Sequence, residues 1–190
     1  MKNGRWMIEV CDSHIHLSKH DFRYLFGEKA KLGVKKTLTQ PGTFIAKQTL
    51  LVEGPTGEKI VLPVYGPLRA KTQIELSTQE ANRLGVDAVS QVSGKLGSGS
   101  VSLCAGEKSI VAEGCVIIPM NHLHIPPEYS APYNLKNLNT VSVKMCDGNE
   151  IVIKDVVIRI SHTYTEQLHI SRQVAEQLGI HDGEECCLMK

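Results

Sequence analysis

Aromatic residues are scarce in this chain, with one tryptophan, three phenylalanines and aromatics at 5 % of the whole. A core built largely without them rests on aliphatic and β-branched side chains, which suit strands. An excess of charge of one sign is also missing. The 21 basic residues meet 20 acidic ones for a formal net charge of +1, so the sequence lacks the electrostatic footprint of a DNA- or RNA-binding surface. Long apolar runs are lacking too. Ile151 to Ile160 is interrupted by Lys154, Asp155 and Arg159, and a membrane helix needs about 20 apolar residues in succession. Met1 to Val10 has no basic n-region leading into an apolar h-region. The cysteines, Cys11, Cys104, Cys115, Cys146, Cys186 and Cys187, form no CxxC pair, which reads as reduced thiols rather than a disulfide framework. Together these absences point to a soluble, cytoplasmic protein with no nucleic-acid or membrane partner.

What is present is a series of short β-branched runs between turn formers. Thr49 to Glu53, Lys59 to Val64, Gln73 to Leu76, Ser109 to Val111, Thr140 to Met145 and Glu150 to Ile160 read as strands. Gly54-Pro55, Gly66-Pro67 and Asp147-Gly148 read as turns between them. Three short helices are expected at Ser18 to Phe26, Ser77 to Leu84 and Ser171 to Leu178, each opened by a capping serine, the last two closed by Gly85 and Gly179. The pattern predicts a mainly β protein of compact barrels or sandwiches, and 190 residues allow one domain or two small ones.

Two of those helices belong to a longer match. Gln73 to Val86 aligns without a gap on Gln167 to Ile180, with six of fourteen positions identical and three more exchanging one aliphatic residue for another. Upstream, each copy carries a His-x-His: His14-Ile15-His16 and His122-Leu123-His124. The chain therefore reads as two copies of one module, 13–119 and 120–190, the second completed by residues 1–12. On a strand the two histidines of each pair share a face. The repeat lays Glu75 over His169, so each copy offers two imidazoles and one further metal-competent side chain. Three protein ligands leave a coordination position for water or substrate, as catalytic zinc requires. His20, His162 and His181 have no counterpart in the repeat and read as surface residues.

Arg69 stands in Gly66-Pro67-Leu68-Arg69, six residues before Glu75, where a turn and a strand can aim both side chains at one place. Its planar fork suits phosphate. Gln40-Pro41-Gly42 is a second sharp turn.

These segments resemble the PduL-type phosphate acyltransferases. Cys11-Asp-Ser-His-Ile-His-Leu-Ser18 is similar to that family's S-N-R-H-V-H-L-S, Thr39-Gln-Pro-Gly42 to its S-Q-P-G, and Gly66-Pro-Leu-Arg-Ala-Lys-Thr-Gln-Ile-Glu-Leu-Ser77 to its G-P-x-R-x-x-T-Q-V-E-x-S. Asn121-His-Leu-His124 and Leu168-His169-Ile170 are similar to its R-H-I-H and M-H-I-D. The resemblance implies two small β-barrels related by the repeat and capped by short helices, with the active site between them. It implies two zinc ions, one on His14, His16 and Glu75, the other on His122, His124 and His169. Arg69 matches the phosphate-binding arginine and Gln40 the loop glutamine. The activity implied is transfer of a propanoyl or acetyl group between coenzyme A and inorganic phosphate, with acyl-CoA and phosphate or acyl phosphate as partners. A homodimer is the assembly expected, and association with a bacterial microcompartment stays open.

The sequence departs from the family pattern at Ser13 and Asn121, where the family has arginine, at Cys11-Asp12, and at Glu176 in place of asparagine. These departures leave one alternative, a divergent zinc-binding paralogue with lost or altered activity. Water on an open zinc leaves a second, a zinc-dependent thioester hydrolase.

Overall fold

The computed structural model describes residues 4–189; residues 1–3 and 190, part of the expected second module, lie outside the described residues. In chain order the elements are β1 (Arg5–Cys11), β2 (His14–His16), α1 (Lys19–Phe26), β3 (Val34–Thr37), β4 (Phe44–Glu53), β5 (Lys59–Gly66), β6 (Gln73–Glu75), α2 (Thr78–Leu84), β7 (Val89–Gln91), β8 (Ser98–Ala105), β9 (Lys108–Pro119), β10 (His122–Ile125), α3 (Pro127–Ser130), β11 (Thr140–Met145), β12 (Val152–Ile160), β13 (Gln167–Ser171), α4 (Arg172–Leu178) and β14 (Glu185–Leu188), with a 3-10 turn at Ala131–Tyr133. The protein is mainly β, as its β-branched runs imply. Among the described residues no helix is long and apolar enough to cross a membrane.

The elements gather into two compact units, Ser13–Pro119 and 4–12 with 120–189. In Ser13–Pro119 six strands close into a ring in the order β4-β5-β2-β6-β9-β8, and β8 pairs back onto β4, while β3 and β7 flank the ring. In the other unit the closed order is β1-β13-β10-β12-β11-β14. The rings match strand for strand. β2 runs parallel to β5 and antiparallel to β6, as β10 does to β12 and β13. β9 runs parallel to β6 as β1 does to β13. β1, the first strand of the chain, thus holds in its barrel the place that β9 holds in the other.

Pleat alternation explains how each barrel is filled. Ile15 pairs with Ile74, and Leu123 with Leu168, and all four are fully buried among the aliphatic residues of their own core. Trp6, the sole tryptophan, closes the second core together with Ile8. Strand extents differ from those expected. β4 begins five residues earlier than the run at Thr49 and β9 extends to Pro119. The burial of β9 does not alternate, and Gly114 takes φ 59° within it, so a period of two was not visible there.

The helices follow their caps. Ser18, Ser77 and Ser171 accept from the backbone N–H groups of Asp21, Glu80 and Val174, and Glu80 completes a capping box at α2. Gly85 and Gly179 end α2 and α4 in the left-handed conformation, both at φ 69°. Either glycine replaced by alanine meets a backbone cost of about 1–2 kcal/mol. Their surroundings differ. A Cβ on Gly179 meets nothing within 4 Å, whereas one on Gly85 falls 2.4 Å from Cγ2 of Thr56. The Thr56 hydroxyl is tied to the Arg83 carbonyl at 3.2 Å, so its side chain cannot turn away without losing that bond. Gly85→Ala should therefore lower the urea midpoint clearly more than Gly179→Ala. Equal shifts would mean that Thr56 yields at no cost.

Candidate metal centres

In the barrel of Ser13–Pro119, β2 and β6 are paired so that His14 lies opposite Glu75 and His16 opposite Gln73. Because Ile15 and Ile74 turn into the core, their neighbours share the opposite face. His14, His16 and Glu75 are buried on it, and their ligand-type atoms lie within 4.8 Å of one another. Nε2 of His14 is 3.1 Å from Nε2 of His16, and Glu75 places one carboxylate oxygen 3.7 Å from the first and the other 3.6 Å from the second. Two imidazole lone pairs repel at that separation unless a proton or a cation stands between them. Burial first, then the neighbouring His14 and Arg69, hold the His16 pKa well below its ordinary value, which keeps it a neutral donor. The His14 ring is stacked on Tyr65, centroids 3.9 Å apart.

Arg69, between β5 and β6, joins this group through its hydrogen bonds. Its backbone N–H donates to the Leu17 carbonyl at 2.8 Å, and Nη1 donates to Oε1 of Gln73 and to Oγ of Ser93, each at 3.1 Å. Gln73 is in turn held by Gly94 N–H and by the Lys95 carbonyl, both at 2.7 Å. The Ser93 hydroxyl donates to Glu75 at 2.5 Å, and Arg69 Nη1 stands 3.7 Å from the same carboxylate oxygen. The guanidinium is one third exposed, so it is fixed on one side and open to solvent on another. Gln40 is buried in the same unit, in a turn where its carbonyl accepts from Thr43 N–H at 3.1 Å.

The second barrel repeats the register. His122 pairs with His169 and His124 with Gln167, flanking the buried pair Leu123 and Leu168. The three imidazoles cluster with ring centroids 4.6 to 5.1 Å apart, and their ligand-type nitrogens also lie within 4.8 Å of one another. Nδ1 of His122 donates to the Met120 carbonyl at 2.9 Å, leaving Nε2 as the lone-pair nitrogen. Both ring nitrogens of His124 are buried with no hydrogen-bond partner. Desolvation, then the neighbouring His122 and His169 and Arg159, hold the His124 pKa far below its ordinary value. A buried, neutral imidazole with no hydrogen-bond partner is costly, and a bound ion removes the cost. The donors present in both barrels fit zinc, which accepts imidazole and carboxylate.

The expected ligand sets are thus brought together, three in each unit, with Arg69 beside the first. Reasoning from sequence missed Ser93, Tyr65 and Tyr164, the last packed on His124 with centroids 4.2 Å apart; none carries a sequence signal, since each comes from a loop or strand outside the repeat. It also passed over Gln73 and Gln167, which the repeat aligns and the fold buries alike. His20, His162 and His181 are exposed. Among the described residues no cysteine forms a disulfide; burial pushes the thiols of Cys115 and Cys186 up to about 12, so both stay protonated.

The residues that depart from the resemblance have local roles. Ser13 donates to the Glu80 carboxylate and accepts from Ser77 N–H at 3.0 Å, so it joins the cap of α2. The Asn121 carbonyl accepts from Val157 N–H at 2.9 Å, and Glu176 is exposed on α4.

The profile of the phosphate propanoyltransferase family matches residues 7–181. Three relatives named phosphate propanoyltransferase align over nearly all of the chain. The Sebaldella termitidis protein is 34 % identical over 94 % of this chain and 85 % of its own. That of Leptotrichia buccalis is 33 % identical over 96 % and 87 %, and that of Thermotoga maritima 33 % identical over 94 % and 86 %.

Ser13→Ala should destabilise the protein by about 1 kcal/mol, because the Ser77 N–H and Glu80 lose a shared partner. In a Glu80→Ala background the same substitution should cost clearly less. Additive losses in urea unfolding would show that Ser13 acts independently of the cap.

Proposed function

The chain belongs to the phosphate propanoyltransferase family of acyltransferases, and from that premise we propose that it moves a propanoyl or acetyl group between coenzyme A and inorganic phosphate, with one zinc ion held by His14, His16 and Glu75 and another by His122, His124 and His169. The observation that carries the reading is the anchored guanidinium of Arg69 beside a buried His–His–carboxylate group. When bound, zinc on three protein ligands supplies Lewis acidity toward oxygen and a soft partner for sulfur.

The residues of the chain account for the handling of phosphate. Arg69 presents a fixed positive fork, and its bonds to Gln73 and Ser93 set its orientation before substrate arrives. Ser93 also bonds Glu75, so the arginine and the ligand carboxylate move as one network. An oxygen of phosphate forms the new bond to the acyl carbon, the carbon–sulfur bond breaks, and coenzyme A leaves as thiolate, which takes up the proton of phosphate. The exchange needs no acyl-enzyme and no redox partner. Gln40 is the further substrate-side residue, on the strength of its matching loop and its burial.

Ser13 is the residue that favours altered activity. Its hydroxyl is used in the α2 cap and brings no positive charge where the family pattern has one. The reading therefore includes a shifted acyl preference. It also carries forward a cytoplasmic location, a homodimer and an open question of microcompartment association.

Thiol release from propanoyl-CoA should depend on phosphate and yield propanoyl phosphate. Equal release in phosphate-free buffer would identify a thioester hydrolase instead, and no release in either would identify a protein that kept the fold and lost the chemistry. Removal of a charge-assisted pair costs about 1.5–3 kcal/mol, so Arg69→Ala should raise the KM for phosphate roughly 10- to 100-fold, with partial recovery in Arg69→Lys. An unchanged phosphate KM in Arg69→Ala would remove this residue from the site.

A further inference from the structure

The second barrel carries donors that the first does not. β1 pairs with β13 so that Glu9 lies opposite His169 and Cys11 opposite Ser171. Ile8 lies in the core and Val10 packs against it, so Glu9 and Cys11, two apart on the strand, share the face of His169. Cys11 Sγ is 3.4 Å from Nδ1 of His169, and a Glu9 carboxylate oxygen is 3.9 Å from its Nε2. The ligand-type atoms of Glu9, Cys11 and His169 lie within 4.8 Å of one another, and both the imidazole and the carboxylate are largely buried, at 12 and 13 % exposure. In the first barrel the strand equivalent to β1 is β9, which sets Ile117 opposite Glu75 and ends two residues later at Pro119. Neither residue can ligate a metal through its side chain.

We propose that Glu9, Cys11 and His169 form a binding position for a thiophilic divalent cation, sharing His169 with the three-histidine set. A neutral imidazole has one lone pair, so one ion at a time takes it. The physical case is charge. A divalent ion on three neutral imidazoles keeps its full charge in a largely buried place, whereas a carboxylate and a thiolate cancel it. Thiolate is also the strongest soft donor available to zinc, cobalt or cadmium. The position is specific to this chain to the extent that Cys11 stands where the resemblance has serine, and it does not depend on the acyl-transfer reading.

The test uses the full chain, stripped by chelator and titrated with cobalt(II) alone. A sulfur-to-cobalt charge-transfer band should grow in the near ultraviolet. Cys11→Ser should abolish it, and Cys146→Ser, on a partly buried thiol of the same barrel, should leave it. Glu9→Gln should keep the band and weaken cobalt binding about tenfold or more. Cobalt should also protect Cys11 from iodoacetamide, mapped by mass spectrometry, which needs no variant to fold. Absence of the band in the unaltered chain, its survival in Cys11→Ser, or equal alkylation of Cys11 with and without cobalt would overturn the proposal.

Discussion

A histidine pair on a strand stands on one face only if the residue between the two is buried on the other. Everything in both barrels depends on that constraint. Ile15 and Leu123 are the buried residues, and each is paired across the ladder with an aliphatic partner, Ile74 or Leu168. A slip of one residue would send the histidines into an aliphatic core and the aliphatic pair to the opposite face. The core and the site are therefore set by the same hydrogen-bonded register. The third candidate ligand needs no loop to deliver it, because Glu75 and His169 are the cross-strand partners of His14 and His122.

Within that common frame the two centres differ in charge. The first includes a carboxylate and is tied through Ser93 to Arg69, so acid and base are balanced before any anion binds. The second has only imidazoles on β10 and β13, with buried nitrogens on His124 that lack a hydrogen-bond partner. An acid, Glu9, stands beside His169 and is carried by a different strand. The fold supplies equivalent positions, and the side chains placed on them give each centre its own electrostatics.

Much of this was legible in the sequence, for identifiable reasons. The helices were readable because serine caps and glycine stops are local signals. The mainly β class followed from β-branched runs and turn formers. The grouping of His14, His16 and Glu75, and of His122, His124 and His169, was readable because the repeat aligned two strands whose separation along the chain is large but whose pairing is identical. The equivalence of β1 and β9 was not readable. Arg5–Cys11 and Lys108–Pro119 share no pattern, and the two occupy opposite ends of their modules in the chain. Ser93 was invisible for a related reason, since it reaches Glu75 from a loop eighteen residues on. Cys11 was noticed only as a reduced thiol and as a departure from a motif; its place beside His169 comes from the parallel pairing of β1 with β13.

The central claim is that each barrel holds its own ion through one strand pair. Elemental analysis of the chain and two variants tests it most directly, because His16 serves only the first set and His169 is common to every set in the second. The account predicts about two zinc-like ions per chain on three-ligand sites, with His16→Ala and His169→Ala each losing one and the double variant both. No transition metal in protein prepared without chelator, or loss of both ions from either single variant, would contradict it.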